Sequence, residues 1–296
     1  MEIYTIENDY LSAEIMAYGA VIKALKFKKG DVPLVVSFPS TKDYLEDPMY
    51  VGACVGRYAG RIRHYSLDGE RVTLSSDAFE LHGGTQGWSK KKWSLVKHQK
   101  DRVELSLDCP QHKKGHPGHV RVNLVYKLVD TTLDIDYTAV SDKVTPINPT
   151  QHSYFCFNGL PIEDHQLKIN AKNRLVLQDD LLPTGEIVAT KGDHFGTTAA
   201  PIQQAAYDDV FIVDDPHKPV AQLSSPDGKF TLEVFTDQKA VVVFVSRDLN
   251  GICFETQGYP DAPNFPHFPS TLVVPNEQYH QKTVYRFLTK DIKAEK

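Results

Sequence analysis

The sequence predicts an all-β protein organised as a large antiparallel β-sandwich. Apolar residues alternate with polar ones over several short stretches, and sustained helical periodicity is nowhere convincing. The chain also contains 18 glycines and 18 prolines among its 296 residues. Turn-forming residues at about this density, roughly one in eight, are typical of short strands joined by turns.

The alternation places the strands along the chain. Apolar residues occupy every second position in residues 103–107, 120–124 and 133–139, which is the period of a half-buried strand. The polar residues Asp130, Thr131 and Thr132 separate two of these stretches and predict an antiparallel hairpin. Phe230, Leu232 and Val234 repeat the pattern. Residues 240–245 form a continuous apolar run rich in β-branched side chains, which predicts a strand buried on both faces.

Composition limits the organisation and the partners. No linker, charge block or internal repeat divides the chain, so residues 1–296 are expected to form a single domain. With 33 basic and 38 acidic residues, the formal net charge of −5 does not indicate nucleic-acid binding. No stretch approaches the roughly 18 apolar residues of a membrane-spanning helix, and the acidic amino terminus lacks secretory-leader features. We expect a cytoplasmic protein without nucleic-acid or membrane partners.

The sequence predicts no metal or other cofactor. Four widely separated cysteines, without C-x-x-C spacing, are expected to be buried free thiols: Cys54, Cys109, Cys156 and Cys253. The glycine-rich residues 52–60 and 83–90 lack nucleotide-binding spacing. His112, His116 and His119 resemble a ligand cluster, but no carboxylate accompanies them, so we interpret them as solvated loop residues.

Four segments contain polar residues within apolar or strand-like surroundings: residues 56–62, 81–84, 150–155 and 254–279. Each has a structural interpretation when considered alone. A histidine in a strand, such as His152, is usually a hydrogen-bonded structural residue. Glu277 follows Pro275 and Asn276, and asparagine tolerates the left-handed conformation of a turn, so Glu277 is compatible with a turn carboxylate.

Together, however, these segments resemble the aldose 1-epimerase (galactose mutarotase) family over about residues 52–287. The matching motifs are G-R-x-x-x-R-I from Gly56, L-H-G-G from Leu81, G-x-P-G from Gly115, H-S-Y-F from His152, and a tail from E-T-Q at Glu255 to P-x-E-x-Y-x-x-x-T-x-Y-x-F. Each is weak alone, but the ordered set is specific. The resemblance implies a galactose mutarotase-like supersandwich, in agreement with the alternation.

The resemblance also implies a sugar site. Glu277 corresponds to the general base, His152 to the general acid and His82 to a second histidine at the reacting end of the sugar. Arg61 and Asp208 correspond to residues that bind sugar hydroxyls, for which a guanidinium and a carboxylate supply charge-assisted hydrogen bonds. Either Trp88 or Tyr154 is a candidate to cover the apolar face of the sugar ring, and a core role is equally compatible with either residue.

The activity implied is interconversion of the α and β anomers of free hexoses such as galactose or glucose, by a monomer or weak homodimer. One alternative is a hexose-phosphate 1-epimerase, for which Lys90, Lys91 and Lys92 would provide a basic cluster at the pocket mouth. A second alternative is a non-catalytic sugar-binding module. A third is a glycoside hydrolase that uses Glu255 and Glu277, although Glu255 is more simply interpreted as part of a structural strand.

Overall fold

The computed structural model describes residues 1–111, 114–190, 199–202 and 207–290, and strands joined by turns form most of these ranges. The first thirteen strands are β1 Ile3–Glu7, β2 Leu11–Met16, β3 Val21–Phe27, β4 Val32–Pro33, β5 Cys54–Val55, β6 Arg61–Ile62, β7 Tyr65–Leu67, β8 Glu70–Val72, β9 Glu80–Leu81, β10 Ser94–His98, β11 Arg102–Cys109, β12 Val120–Val129 and β13 Thr132–Ser141. The later strands are β14 Thr145–Pro146, β15 Thr150–Gln151, β16 Tyr154–Phe155, β17 Gln166–Ile169, β18 Asn173–Leu177, β19 Pro183–Ala189, β20 Ala200–Pro201, β21 Asp208–Ile212, β22 Ala221–Ser224, β23 Phe230–Thr236, β24 Ala240–Ser246, β25 Gly251–Gln257, β26 Leu272–Val273 and β27 Tyr279–Thr289.

Helical structure in these ranges is confined to single turns of 3₁₀ helix, at Asp43–Leu45, Gly84–Gln86, Trp88–Lys90, Ile162–Asp164 and Ala262–Asn264. The predicted all-β class is therefore confirmed. None of the helices in the described part of the chain is long and apolar enough to cross a membrane.

The larger sheet contains nine antiparallel strands in the order β10-β11-β12-β13-β27-β23-β22-β17-β20. Strands β12 and β13 form the predicted hairpin, with Val129 opposite Thr132 across the turn. Burial alternates strictly along β12, because one face packs into the core and the other faces outward. The period-two interpretation of this region is confirmed.

The second large sheet contains six antiparallel strands in the order β16-β25-β24-β21-β18-β19 and packs on the first. Its inner face includes Phe155 and Phe254, which belong to the same apolar core as Ile135 and Tyr285 of the nine-stranded sheet. The ring centroids of Phe155 and Tyr285 are 4.8 Å apart. This face-to-face packing is the predicted sandwich.

The opposite face of the six-stranded sheet supports a cavity, because side chains alternate between the two faces of a strand. Along β25, every residue from Gly251 to Gln257 is buried. Two short pairings close the chain over this outer face. Strand β5 pairs with β15, placing Cys54 opposite Gln151, and β6 pairs with β9, placing Arg61 opposite Leu81. Segments 56–62, 81–84 and 150–155 therefore line the cavity together with Glu255 of β25.

Candidate active site

A cavity of about 230 Å³ lies against the outer face of the six-stranded sheet. It brings together four of the five side chains predicted from the sequence: Arg61, His82, His152 and Asp208. The carboxylate that joins them is Glu255. Most other lining residues are apolar.

Strand register determines which residues of the sheet face this cavity. Across β25, β24 and β21, Glu255 lies opposite Val242, and Val242 lies opposite Val210. All three line the cavity. In the adjacent row, Phe244 pairs with Asp208, which places this carboxylate on the same face as Glu255. Glu255 and Asp208 are thus both fixed by one continuous hydrogen-bonded sheet.

The two imidazoles are held close together by their backbones. His152 follows β15, and its amide donates to the Ala53 carbonyl at 2.9 Å. His82 follows β9 in a left-handed conformation (φ 54°). The two ring centroids are 5.2 Å apart and the rings are nearly perpendicular. Burial lowers the pKa of His152 to about 4. Burial, followed by the proximity of His152 and Arg61, lowers the pKa of His82 well below its usual value.

Glu255 is the carboxylate in contact with His152. Its Oε1 lies 3.4 Å from Nε2 of His152, and both side chains are about 5% exposed. Its Oε2 is buried without a hydrogen-bond partner in the described part of the chain. Burial and then the nearby charge of Asp208 raise the pKa of Glu255 to about 8, although Arg61 opposes this increase. A buried carboxylate with a free oxygen and a raised pKa is suited to proton transfer.

Two charged side chains lie beside this acid–base group. Burial raises the pKa of Asp208, and the positive charge of Arg61 opposes the effect. Arg61 projects from β6, with its guanidinium 5.8 Å from the ring centre of Phe79. A guanidinium and a carboxylate in one small cavity can bind neighbouring hydroxyl groups through charge-assisted hydrogen bonds.

Aromatic residues surround the imidazoles. Tyr50, which sequence reasoning missed, lines the cavity in a left-handed conformation (φ 56°), with its ring centroid 4.8 Å from that of His82. The Asp47 carboxylate stabilises this turn by accepting from the amides of Met49 and Val51. Tyr154 also lines the cavity, whereas Trp88 does not. The sequence does not reveal that Tyr50 adopts a positive φ, because this conformation is uncommon for a non-glycine residue.

The prediction that Glu277 meets His152 in one cavity is wrong. Glu277 is exposed in the turn after β26, where its amide donates to the Val274 carbonyl at 3.1 Å, and it does not line the cavity. Asn276 adopts the left-handed conformation (φ 70°) that the structural interpretation of this turn predicted. Glu255 lies in a strand, as the sequence interpretation had it, and in addition it lines the cavity in contact with His152.

His82, His152 and Glu255 have the spacing of a metal site, with one potential ligand atom each within 4.8 Å of the others. The tautomer of His82 does not fit this function. The Gly60 amide donates to Nδ1 of His82 at 3.2 Å, so the single proton of the neutral imidazole resides on Nε2. A protonated nitrogen donates hydrogen bonds and cannot coordinate a metal ion. His82 is therefore a donor toward the cavity.

The predicted basic cluster does not line this cavity. Lys91 donates to Gln86 at 2.7 Å, and Lys92 forms an ion pair with Glu2 at 3.2 Å. Lys90, Lys91 and Lys92 are all absent from the cavity wall. Among the described lining residues, the permanent positive charge is that of Arg61, and Asp208 and Glu255 carry the carboxyl groups. The cavity thus lacks the excess of positive charge expected for a phosphate.

Comparison with known proteins agrees with this architecture. The sequence profile described as Aldose 1-epimerase matches residues 2–286. Galactose mutarotase of Bos taurus is 31% identical, with 97% of this chain and 94% of that protein covered. Aldose 1-epimerase of Haemophilus influenzae is 30% identical, with 97% and 95% covered. The solved GalM/aldose epimerase homologue from C. elegans shares the fold, with a TM-score of 0.92, 24% identity, and 97% of this chain and 99% of that chain covered.

Proposed function

Because the chain belongs to the aldose 1-epimerase family and is an isomerase, we propose that it interconverts the α and β anomers of free hexoses such as galactose or glucose. The observation that carries this proposal is the buried contact of 3.4 Å between His152 and Glu255, within a cavity also lined by Arg61, His82 and Asp208. The reaction needs an acid and a base at one sugar carbon, and this pair supplies both.

In the proposed reaction, Glu255 removes the proton from the anomeric hydroxyl while His152 protonates the ring oxygen. The bond between C1 and the ring oxygen then breaks, and the open aldehyde rotates about its C1–C2 bond. Ring closure on the other face of the carbonyl reverses the two proton transfers. General acid and general base catalysis typically contribute about 10²- to 10⁴-fold each.

The remaining polar groups are assigned from their donors and charges. His82 presents its Nε2 proton to the cavity, because Nδ1 accepts from Gly60. We assign it to a hydrogen bond with an oxygen at the reacting end of the sugar. Arg61 and Asp208 lie beside this end and are assigned to the other ring hydroxyls. Tyr50 and Tyr154 provide apolar surface for the C–H groups of the ring.

In the catalytically active form of the enzyme, His152 and Glu255 together hold one proton. Between the two pKa values, about 4 for His152 and about 8 for Glu255, the pair holds one proton. Transfer of this proton to His152 across their contact produces the carboxylate base and the imidazolium acid together. Arg61 favours this form, because its positive charge stabilises the ionised Glu255.

We expect kcat/KM for anomer interconversion to be level around pH 6–7 and to fall above about pH 8, where the pair loses its last proton and no acid remains. In Asp208→Asn the falling limb should move to lower pH, because removing the Asp208 charge lowers the pKa of Glu255. Polarimetry over pH 5–10 tests this, with the spontaneous rate subtracted at each pH. A limb that moves upward in Asp208→Asn would contradict the assignment.

The charge of the cavity favours neutral sugars over hexose phosphates. A phosphate dianion would approach Asp208 and Glu255 with one fixed positive charge, Arg61, to offset it. We expect kcat/KM for galactose to exceed that for galactose 6-phosphate by about tenfold or more, which corresponds to roughly 1.4 kcal/mol. Decay of optical rotation after dissolving each α anomer, with and without protein, measures both rates. A preference for the phosphate would favour the hexose-phosphate alternative.

A further inference from the structure

A second cavity, of about 170 Å³, adjoins the first through a shared segment of chain. Leu81 and His82 line the candidate active site, whereas Glu80 and Gly83 line the second cavity. The second cavity approaches the first in size, and no step of the proposed reaction uses it. Its wall includes the buried charged side chains of Arg57 and Glu80.

Arg57, Glu80 and His116 line the second cavity, and each is less than one-tenth exposed. The expectation that His116 is a solvated loop residue is therefore wrong, whereas His112 lies outside the described residues. Oε2 of Glu80 accepts from the Ser75 hydroxyl at 2.6 Å. Oε1 of Glu80 lies 3.7 Å from Nε2 of His116, which is too long for a hydrogen bond.

His116 leaves a buried polar atom unsatisfied. Its Nε2 has no hydrogen-bond partner within the part of the chain that the structure describes. Its Nδ1 lies 3.1 Å from the Tyr65 hydroxyl, which can donate or accept, and the Glu80 carboxylate 3.7 Å from Nε2 favours the tautomer with the proton on Nε2. Burial and the nearby Arg57 lower the pKa of His116 to about 3, so the ring is neutral. The cavity wall thus presents an unpaired donor beside a carboxylate acceptor.

The surrounding charges select a class of ligand. Arg57, Lys91 and Lys114 disfavour a cation in this cavity, whereas the buried Glu80 carboxylate, 3.7 Å from Nε2 of His116, disfavours an anionic group at that position. A hydroxyl group fits both partners, because it accepts from an N–H and donates to a carboxylate.

The remaining wall includes apolar surface from Trp88 and Pro110 that can contact C–H groups. We propose that this cavity is a second binding site, for a small neutral polyhydroxylated ligand such as a monosaccharide, with one ligand hydroxyl bridging Nε2 of His116 and Oε1 of Glu80. The site is separate from the proposed chemistry, although Glu80 and His82 are only two residues apart.

Tryptophan fluorescence provides a direct test, because the chain has two tryptophans. Trp88 lines the second cavity, and its ring centroid lies 6.0 Å from that of Trp93. Neither lines the first cavity. The probe is methyl α-galactoside, which has no free anomeric hydroxyl and cannot undergo the proposed reaction. We expect a saturable change in emission for the wild type and equally for Glu255→Gln, so the result does not depend on the proposed catalysis.

Two variants locate the signal. Glu80→Gln keeps an acceptor for Ser75 but removes the charge, and His116→Asn removes the Nε2 donor. Each should weaken the apparent affinity for the galactoside by about tenfold or more. His98→Gln, in the exposed edge strand β10, is the matched control and should titrate as the wild type does. Unchanged titrations in both cavity variants would overturn the proposal.

The class of ligand is tested by repeating the titration with galactose 6-phosphate. Tighter binding of the phosphate, lost in His116→Asn, would show an anion site and refute the neutral class. A crystal of the wild-type protein soaked in methyl α-galactoside tests the location without a substitution. Density for the sugar between His116 and Glu80 supports the proposal, and a cavity containing only water overturns it.

Discussion

Glu255→Gln is expected to reduce kcat for anomer interconversion by about 10²- to 10⁴-fold, the usual contribution of a general base. The substitution preserves the size of the side chain and its position on β25 but removes the group that accepts the proton. Because Glu255 is buried and its pKa is raised to about 8, the neutral amide should be well tolerated by the fold. Polarimetry on freshly dissolved α-galactose measures the rate, and thermal unfolding measures the fold.

Glu277→Gln is the matched control, because it makes the same chemical change in the exposed turn after β26. We expect wild-type rates from this variant. A large loss of activity in Glu277→Gln, together with near wild-type rates in Glu255→Gln, would show that Glu277 is the general base, as the motif resemblance implied. Comparable loss in both variants would contradict the assignment of a single carboxylate base.

These two glutamates show what sequence reasoning could and could not determine. The resemblance identified the carboxyl-terminal stretch that contains both residues, but it does not show which of the two side chains is buried. The useful signal was local: Glu255 directly follows Ile252, Cys253 and Phe254, an apolar run that is fully buried in the structure. A carboxylate in such a run is costly unless it is paired or functional, whereas Glu277 follows a proline and an asparagine that favour an exposed turn.

The fold was more predictable than the site because alternation is a local property. The hairpin of β12 and β13 and the buried strand β24 follow from their own sequences. The segments that position the site are different. Strands β5, β6, β9 and β15 are two residues long, so they carry no detectable period, and their pairing joins residues about 20 to 100 positions apart. The same limit concealed His116, whose buried partners Arg57 and Glu80 are distant in sequence.

His152→Asn is expected to reduce kcat by about 10²- to 10⁴-fold, because it removes the acid that protonates the ring oxygen. Asparagine cannot exchange a proton with Glu255, so the fall in kcat/KM above about pH 8 should also change in this variant. A structural role for His152 would lower stability without altering the pH dependence. Rates at several pH values, measured on protein that is folded by circular dichroism, distinguish the two.

His165→Asn is the control for loss of a buried imidazole. His165 is also fully buried, but it accepts from the Phe157 amide at 3.3 Å and does not line the candidate active site. We expect it to lower the unfolding temperature without changing kcat. Because His152 and Glu255 share one proton, the double variant of these two residues should be little slower than either single variant. Losses that multiply in the double variant would show that the two groups act independently, which contradicts the shared-proton mechanism.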